Sequence, residues 1–297
     1  MSIKKPEEDL IFDIVNYTIF GVFTLLCILP FYYLFINTIS DNDLVKRGLI
    51  KLIPRGFHLN NYVQVFKLRG LGQAALISVS RTVGGTGLTV LASAFVGYLV
   101  TKNDLWGRKF WYRYIIITMY FSAGLVPWYM NMVLLRLTNN FLAYILPGMV
   151  APFSIILVKT YIESIPPSLE ESASIDGAGV LTIFAKIMLP LTKPILATIA
   201  IFAAVGHWNS FMDTLFLMTD EKLFSLQFVL WRYLNEANYL ASIMRSGTTV
   251  AVDAAQVLTP RTIQMTISMV VVFPILCTYP FMQRFFIKGI MVGAIKG

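Results

Sequence analysis

The sequence predicts an all-α polytopic membrane protein with six transmembrane helices, and three observations carry that prediction. Of 297 residues, 57% are hydrophobic and only 13% are charged, whereas soluble domains carry roughly 25% charged residues. The apolar residues fall in runs long enough to cross a bilayer, separated by compact charged segments. The ~10-residue alternating segments that build a membrane β-barrel are not evident.

Six candidate spans follow, at about 14–37, 76–100, 114–135, 141–161, 190–218 and 263–286. Each offers close to the ~20 residues that a helix needs to cross ~30 Å of hydrocarbon. The first is too long for a secretory h-region and lacks a small-residue cleavage site, so it reads as a retained span. Pro127 breaks the third within SAGLVPWYMNM, and Pro274 and Pro280 fall in the sixth. Prolines free backbone carbonyls that protein or a wet cavity must satisfy, so a packed bundle with a polar interior is expected. Residues 1–75 read as an N-terminal span with the first external loop, and 76–297 as the transmembrane core.

The net charge of +8 does not point to nucleic acid, because the basic residues are scattered between spans with no basic-aromatic cluster. They read as loop charges next to a lipid membrane. Connections 38–75 and 219–262 face one side; 101–113, 162–189 and both termini face the other. About twelve Lys and Arg fall to each side, so charge bias sets no orientation beyond a lean, from the basic 101–113 loop, towards cytoplasmic termini. Cys27 and Cys277 fall in apolar runs and read as reduced packing residues. His207 reads as a hydrogen-bonded structural residue, and no metal constellation exists.

The fourth connection is unusual. Pro166-Pro167 ends a span, and Ser168-Leu169-Glu170-Glu171 fits a capping box that starts a new helix. The two glutamates sit where the helix dipole favours negative charge. The helix should run to about Asp176 and stop at Gly177, a residue suited to the left-handed C-terminal position. A second helix, Val180 to Met188, should end before Pro190. A nine-residue helix is marginal in water, so this pair needs a surface. Physics alone leaves two readings open, an amphipathic loop on the membrane or a docking element for a soluble partner.

The spacing Glu171, Ala173, Gly177, Ile187, Leu189 and Pro190 resembles the EAA motif of the membrane subunits of type I ABC importers. SIDGAGVLTIFAKIMLPLTKP is similar to the version in carbohydrate-uptake permeases. HWNSF at 207–211 resembles their W-N-x-F element, and FIKGIMVGAIKG resembles their C-terminal tail. The likeness covers most of the chain from about residue 76 onward and is nearest to oligosaccharide and polysaccharide permeases. Ser172 departs from the usual alanine, small for small.

The resemblance implies a type I importer permease fold, a coupling helix at about 168–188, cytoplasmic termini and a bacterial cytoplasmic membrane. It implies a heterodimer with a second homologous permease, two ATPase subunits and an extracytoplasmic solute-binding protein. The ATPase-coupling set would be Glu170, Glu171, Ser172, Ala173, Asp176, Gly177, Ile187, Leu189 and Pro190. Glu171 would pair with a basic residue of the ATPase. This chain would be non-catalytic and bind no cofactor, with ATP and Mg²⁺ held by the ATPases. Consistently, GGTGLT at 84–89 lacks the P-loop lysine, and Gly84, Gly85 and Gly87 read as close helix packing.

Sugars bind through aromatic faces and hydrogen-bonding side chains. The candidate substrate path is Trp128, Tyr129 and Asn131 after Pro127, with Trp208, Asn209, Phe211 and Asp213 near the end of the fifth span. The 38–75 segment is basic, with Lys46, Arg47, Lys51, Arg55, Lys67 and Arg69 against Asp41 and Asp43. It would attract an acidic oligosaccharide such as a uronate oligomer. The resemblance also implies that the stretch 240–256 reaches towards the binding protein. A secondary transporter would need intramembrane carboxylates, for which Asp213 is the one good candidate. An importer of the same class for a non-sugar substrate is the other alternative.

Overall fold

The computed structural model describes residues 7–245 and 261–294, and among these the chain is helical without strands. It divides into two compact units, Met1–Leu68 with Tyr233–Val272, and Arg69–Arg232 with Phe273–Gly297.

In the first unit, α1 (Glu7–Thr38) is the first predicted span, extended at its N-terminal end. Its apolar side chains between Ile11 and Phe31 are exposed, as suits a helix solvated by lipid. Its last turn is different, because Ile36, Asn37 and Thr38 are buried. Ile36 packs with Val45 and Ile50, and with Met265 of the sixth predicted span. α2 (Asn42–Lys46) starts at Asp41, whose carboxylate accepts from the N–H groups of Asp43 (2.9 Å) and Leu44 (3.1 Å). α3 (Asn60–Phe66) is fixed by Asn61, which donates to Thr38 O and Asn42 Oδ1, both at 3.0 Å. Lys46, Arg47, Lys51, Arg55 and Lys67 are all exposed around this frame. Asp43 lies 3.7 Å from Lys46.

The second unit is built on α4 (Leu71–Leu99), whose 29 residues make a rod of about 43 Å. There follow α5 (Arg108–Tyr120), α6 (Leu125–Leu134), a 3₁₀ turn at Phe141–Tyr144, and α7 (Pro152–Ile162). Next come α8 (Ser168–Ile175), α9 (Val180–Ile183) running into a π-helical stretch at Phe184–Met188, and α10 (Leu189–Leu191). α11 (Lys193–Asn209), α12 (Met212–Leu217), α13 (Leu226–Arg245) and α14 (Arg261–Ala294) complete the order. α4 packs along α11 and α7. One core cluster gathers Ala94, Tyr98, Val158, Ile162, Ile195 and Ile199 near the C-terminal end of α4. A second gathers Ile77, Met132, Tyr144, Ile145 and Leu217 near its start.

Glycine sets two close approaches. A Cβ on Gly97 would lie 2.8 Å from the Val158 side chain, and one on Gly85 would lie 2.4 Å from His207 Nε2. Gly84 faces Ile145 at 3.2 Å, but Gly87 meets nothing within 4 Å, so the packing role expected for all three holds for two.

Three helices, Ile11–Thr38, Leu71–Leu99 and Arg261–Thr278, are individually long and apolar enough to cross a membrane among the described residues. Val180–Leu191 with Lys193–Asn209 passes as a pair bent by 78°. The third predicted span is instead two helices. Its break is at Phe121–Gly124, with Gly124 at φ +85, ahead of Pro127, which sits in the first turn of α6 where its missing N–H costs nothing. In the fourth, Pro147-Gly148 and Pro152 hold 145–151 out of the helix, and Ala151 is extended at φ −105, ψ 102. α14 runs through Pro274 and Pro280, with Thr278 Oγ1 donating to Pro274 O at 2.6 Å. Cys27 and Cys277 are exposed on their helices rather than packed.

Candidate functional site

The segment after Pro166-Pro167 forms the expected helical pair, with two differences. α8 begins at Ser168 itself with Pro167 as its cap residue and no side-chain cap bond. The N–H groups of Glu170 and Glu171 reach Pro167 O, both at 3.0 Å, so the capping box does not form because the helix starts one residue too early for it. The end is as read: Gly177 takes φ +81. Ala178 N–H reaches Ala173 O at 2.9 Å and Gly177 N–H reaches Ser174 O at 3.0 Å, the paired bonds of a Schellman stop. The second helix does not end before Pro190. Proline cannot donate to the preceding turn, and the backbone widens into the π register, with Leu189 N–H on Phe184 O. The helical path thus continues to Leu191, and Thr192 closes it on Met188 O, with N–H and Oγ1 both at 2.9 Å.

Glu170 and Glu171 point apart. Glu170 is half-buried, and its carboxylate accepts from the Tyr98 hydroxyl at 2.8 Å and pairs with Lys102. The Lys102 ammonium also lies 4.1 Å from the Tyr98 ring centroid. Burial pushes the Lys102 pKa down, with nearby Asp104 pulling it up. Phe184 packs against Tyr98 with the ring centroids 5.2 Å apart. Glu171 is exposed, as are Ser172, Asp176, Gly177 and Pro190, whereas Ala173, Ile187 and Leu189 pack against the chain's own core. Leu169, Ile175, Val180 and Leu181 leave apolar surface open beside Glu171.

Further along α4 is a polar cavity of about 440 Å³, lined by Arg81, Thr89, Trp128, Tyr144, His207, Ser210 and Asp213 among others. Arg81 is 1% exposed. Its Nη2 donates to Asp213 Oδ2 at 2.6 Å and its Nη1 to Ser210 O at 3.1 Å. Its Cζ lies 4.3 Å from the Tyr144 ring centroid, and Nε has no partner. Ser210 Oγ donates to Asp213 at 3.0 Å. An arginine inside a span is costly unless paired, and this pairing ties α4 to the break between α11 and α12. The cavity supplies aromatic faces with donors and acceptors, a set suited to a sugar. Among the described residues no three His, Cys, Asp or Glu side chains group as metal ligands.

Residues 89–292 match the family described as "binding-protein-dependent transport system inner membrane component". The chain belongs to this family. The permease is 33% identical to the polygalacturonan/rhamnogalacturonan transport system permease protein YtcP of Bacillus subtilis, over 98% of this chain and 100% of that one. It is 29% identical to the arabinooligosaccharides transport system permease protein AraQ of Halalkalibacterium halodurans, over 94% of each. The crystal structure of a bacterial ABC transporter involved in import of the acidic polysaccharide alginate contains a chain with the same fold. The TM-score is 0.83 at 28% identity, covering 96% of this chain and 100% of that one. The all-α polytopic fold of a type I importer permease is therefore established.

Of the sequence-derived path residues, the permease brings Trp128 and Asp213 to the cavity. Tyr129 and Asn131 are exposed on α6 without lining it. Trp208 lines a separate apolar groove with Val79, Phe202 and Pro274. Asn209 donates to Val205 O of its own helix at 3.0 Å. Phe211 stacks on Trp231 with ring centroids 5.6 Å apart. Sequence reasoning missed Arg81, Tyr144 and Ser210 as cavity residues and read His207 as structural alone. A lone arginine five residues into the apolar run 76–100 was the available signal. The side chains of 240–256 and of the C-terminal tail from 286 lie outside the described residues.

Proposed function

We propose that this chain is the non-catalytic half of the membrane path of an ATP-driven oligosaccharide importer. The observation that carries the reading is α8: a short helix between spans, fastened by Glu170 to its own chain, with Glu171 and a set of apolar side chains turned outward and uncovered. Such a helix needs a partner surface, and an ATPase subunit is the partner that the family's transport role calls for. On this reading the termini and α8 are cytoplasmic, in a bacterial inner membrane. A second related permease completes the path, two ATPase subunits hold ATP and Mg²⁺, and an extracytoplasmic binding protein delivers the substrate.

Two lines of support favour an oligosaccharide, acidic ones included. Relatives are named for polygalacturonan and arabinooligosaccharides, and a structural relative imports an acidic polysaccharide. The 38–69 segment exposes Lys46, Arg47, Lys51, Arg55, Lys67 and Arg69, while one of its two acids, Asp41, is engaged in capping α2. Such a field attracts anions. Tagged permease should recover a second permease and an ATPase, and cells should take up uronate oligomers faster than neutral ones of equal length. Recovery of neither subunit refutes the importer; uptake of neutral sugars alone refutes the acidic preference.

A further inference from the structure

The two adjacent glutamates of α8 point apart, and the inward one has a job that docking does not explain. Glu170 does not merely shield a charge at the end of a loop. It receives the Tyr98 hydroxyl and Lys102 together, one the penultimate residue of α4 and the other three residues beyond the helix end. The Tyr98 hydroxyl also lies 3.4 Å from Val180 O, at the start of α9. Lys102 and Glu170 are 21% and 27% exposed, so the contact is partly withdrawn from water and is more than a freely solvated surface pair.

We infer that Glu170 is the positioning residue that makes α4 move with α8, so that movement of the docked helix reaches the cavity along two rods at once; this rests on the importer reading. One route is covalent, from α8 through α9, the π stretch and α10 into α11. Alone, that route contains a 78° bend and the widened π turn, both places where a displacement can be absorbed. The other route is the Glu170 contact, which grips the end of α4. From Tyr98 back to Arg81 is 17 residues of unbroken helix, about 25 Å. At Arg81 the two routes meet again, because its guanidinium holds Ser210 O and Asp213 just past the end of α11. The ring is closed at both ends by a charged contact. With Glu170 engaged, α4 and α11 travel as one body. Without it, α8 can move while α4 stays behind.

The test uses the complete transporter, purified with its ATPases in nanodiscs. Cys27 and Cys277 are replaced by serine and Trp128→Cys is placed in the cavity wall. Reactivity of that cysteine with a water-soluble maleimide, without nucleotide and with ATP plus vanadate, reports whether the cavity answers the ATPase. The parent should change at least about fivefold, the lower range of an allosteric coupling. Glu170→Gln keeps an acceptor for Tyr98 but loses the charge. It should flatten that response to less than twofold while both ATPases remain bound and ATP is still hydrolysed. The swap of Glu170→Lys with Lys102→Glu should restore most of it, which a residue needed only for folding would not do.

A Glu170→Gln response equal to the parent overturns the inference, as does a swap no better than its single changes. Loss of the ATPases on Glu170→Gln also overturns it, since it would place Glu170 in the docking surface. A parent with bound ATPases but no response to ATP refutes the importer reading itself, and the clamp with it.

Discussion

The coupling segment and the cavity are both polar interruptions of an apolar chain, yet they are built in opposite ways. The coupling segment is contiguous, running from Pro166 to Thr192, and its form follows from local rules: two prolines, a glycine at φ +81, a proline that forces a π turn. The cavity is assembled from α4, from the turn around Tyr144 and from the 207–213 stretch, with up to 132 residues between partners. A local device tolerates change at most of its positions, because its start, stop and π turn answer to neighbours in sequence, Glu170 with its contacts to Tyr98 and Lys102 being the exception. An assembled device fails when a single long-range contact is lost.

The sharpest way to break that comparison is Arg81→Met. It leaves Asp213, whose side chain is 26% exposed, without its cation, and breaking a pair buried on the arginine side costs up to about 3 kcal/mol. Thermal unfolding of the purified permease should show that loss. The double change Arg81→Met with Asp213→Leu should regain much of it, since an apolar pair of similar volume replaces the charge. If the single change is silent, the Arg81–Asp213 contact is not what closes the cavity end.

This difference also explains what could be read before the structure. The outward role of Glu171 was implied by the family resemblance alone, whereas the stop at Gly177 is a consequence of residues a few positions away, and so was legible. The capping box was not, because the choice between Ser168 as cap and Ser168 as first helical residue depends on the preceding Pro167 carbonyl already accepting from Glu170 and Glu171. Arg81 was hidden for another reason. Periodicity and hydropathy average over a window and absorb a single charge, and nothing within 50 residues announces Asp213 as its partner. The split of the third span was half legible: Pro127 marked the neighbourhood, while Gly124 placed the break.

Next in size is Gly85→Ala. The new methyl would sit 2.4 Å from His207 Nε2, so the ring must leave its place in the cavity wall, at a cost of about 2 kcal/mol for overpacking. Gly87→Ala, two residues further along α4 on a different face and with nothing within 4 Å, should be neutral or stabilising by up to about 1 kcal/mol from helix propensity. Equal effects at the two positions would show that α4 is not held against His207. At the coupling end, Gly177→Ala should cost only about 1 kcal/mol, the strain of a left-handed alanine. A larger unfolding penalty there would mean that the segment is not the local device described above.

The smallest expected change in stability is at Glu171, and it is the most informative about function. Glu171 is exposed, and among the described residues its carboxylate makes no hydrogen bond or ion pair within the chain. Glu171→Ala should therefore shift unfolding of the isolated permease by less than about 0.5 kcal/mol. Glu170→Ala gives up the Tyr98 hydrogen bond and the Lys102 pair, and should cost about 1 kcal/mol. In the assembled transporter the order reverses for ATPase recovery: Glu171→Ala should release the ATPase and Glu170→Ala should retain it. Two neighbouring carboxylates with opposite rankings in the two measurements would separate the contact that holds α8 to its own chain from the one that meets a partner. If both variants lose stability alike, Glu171 is not free to meet a partner and the outward face of α8 is not a docking surface.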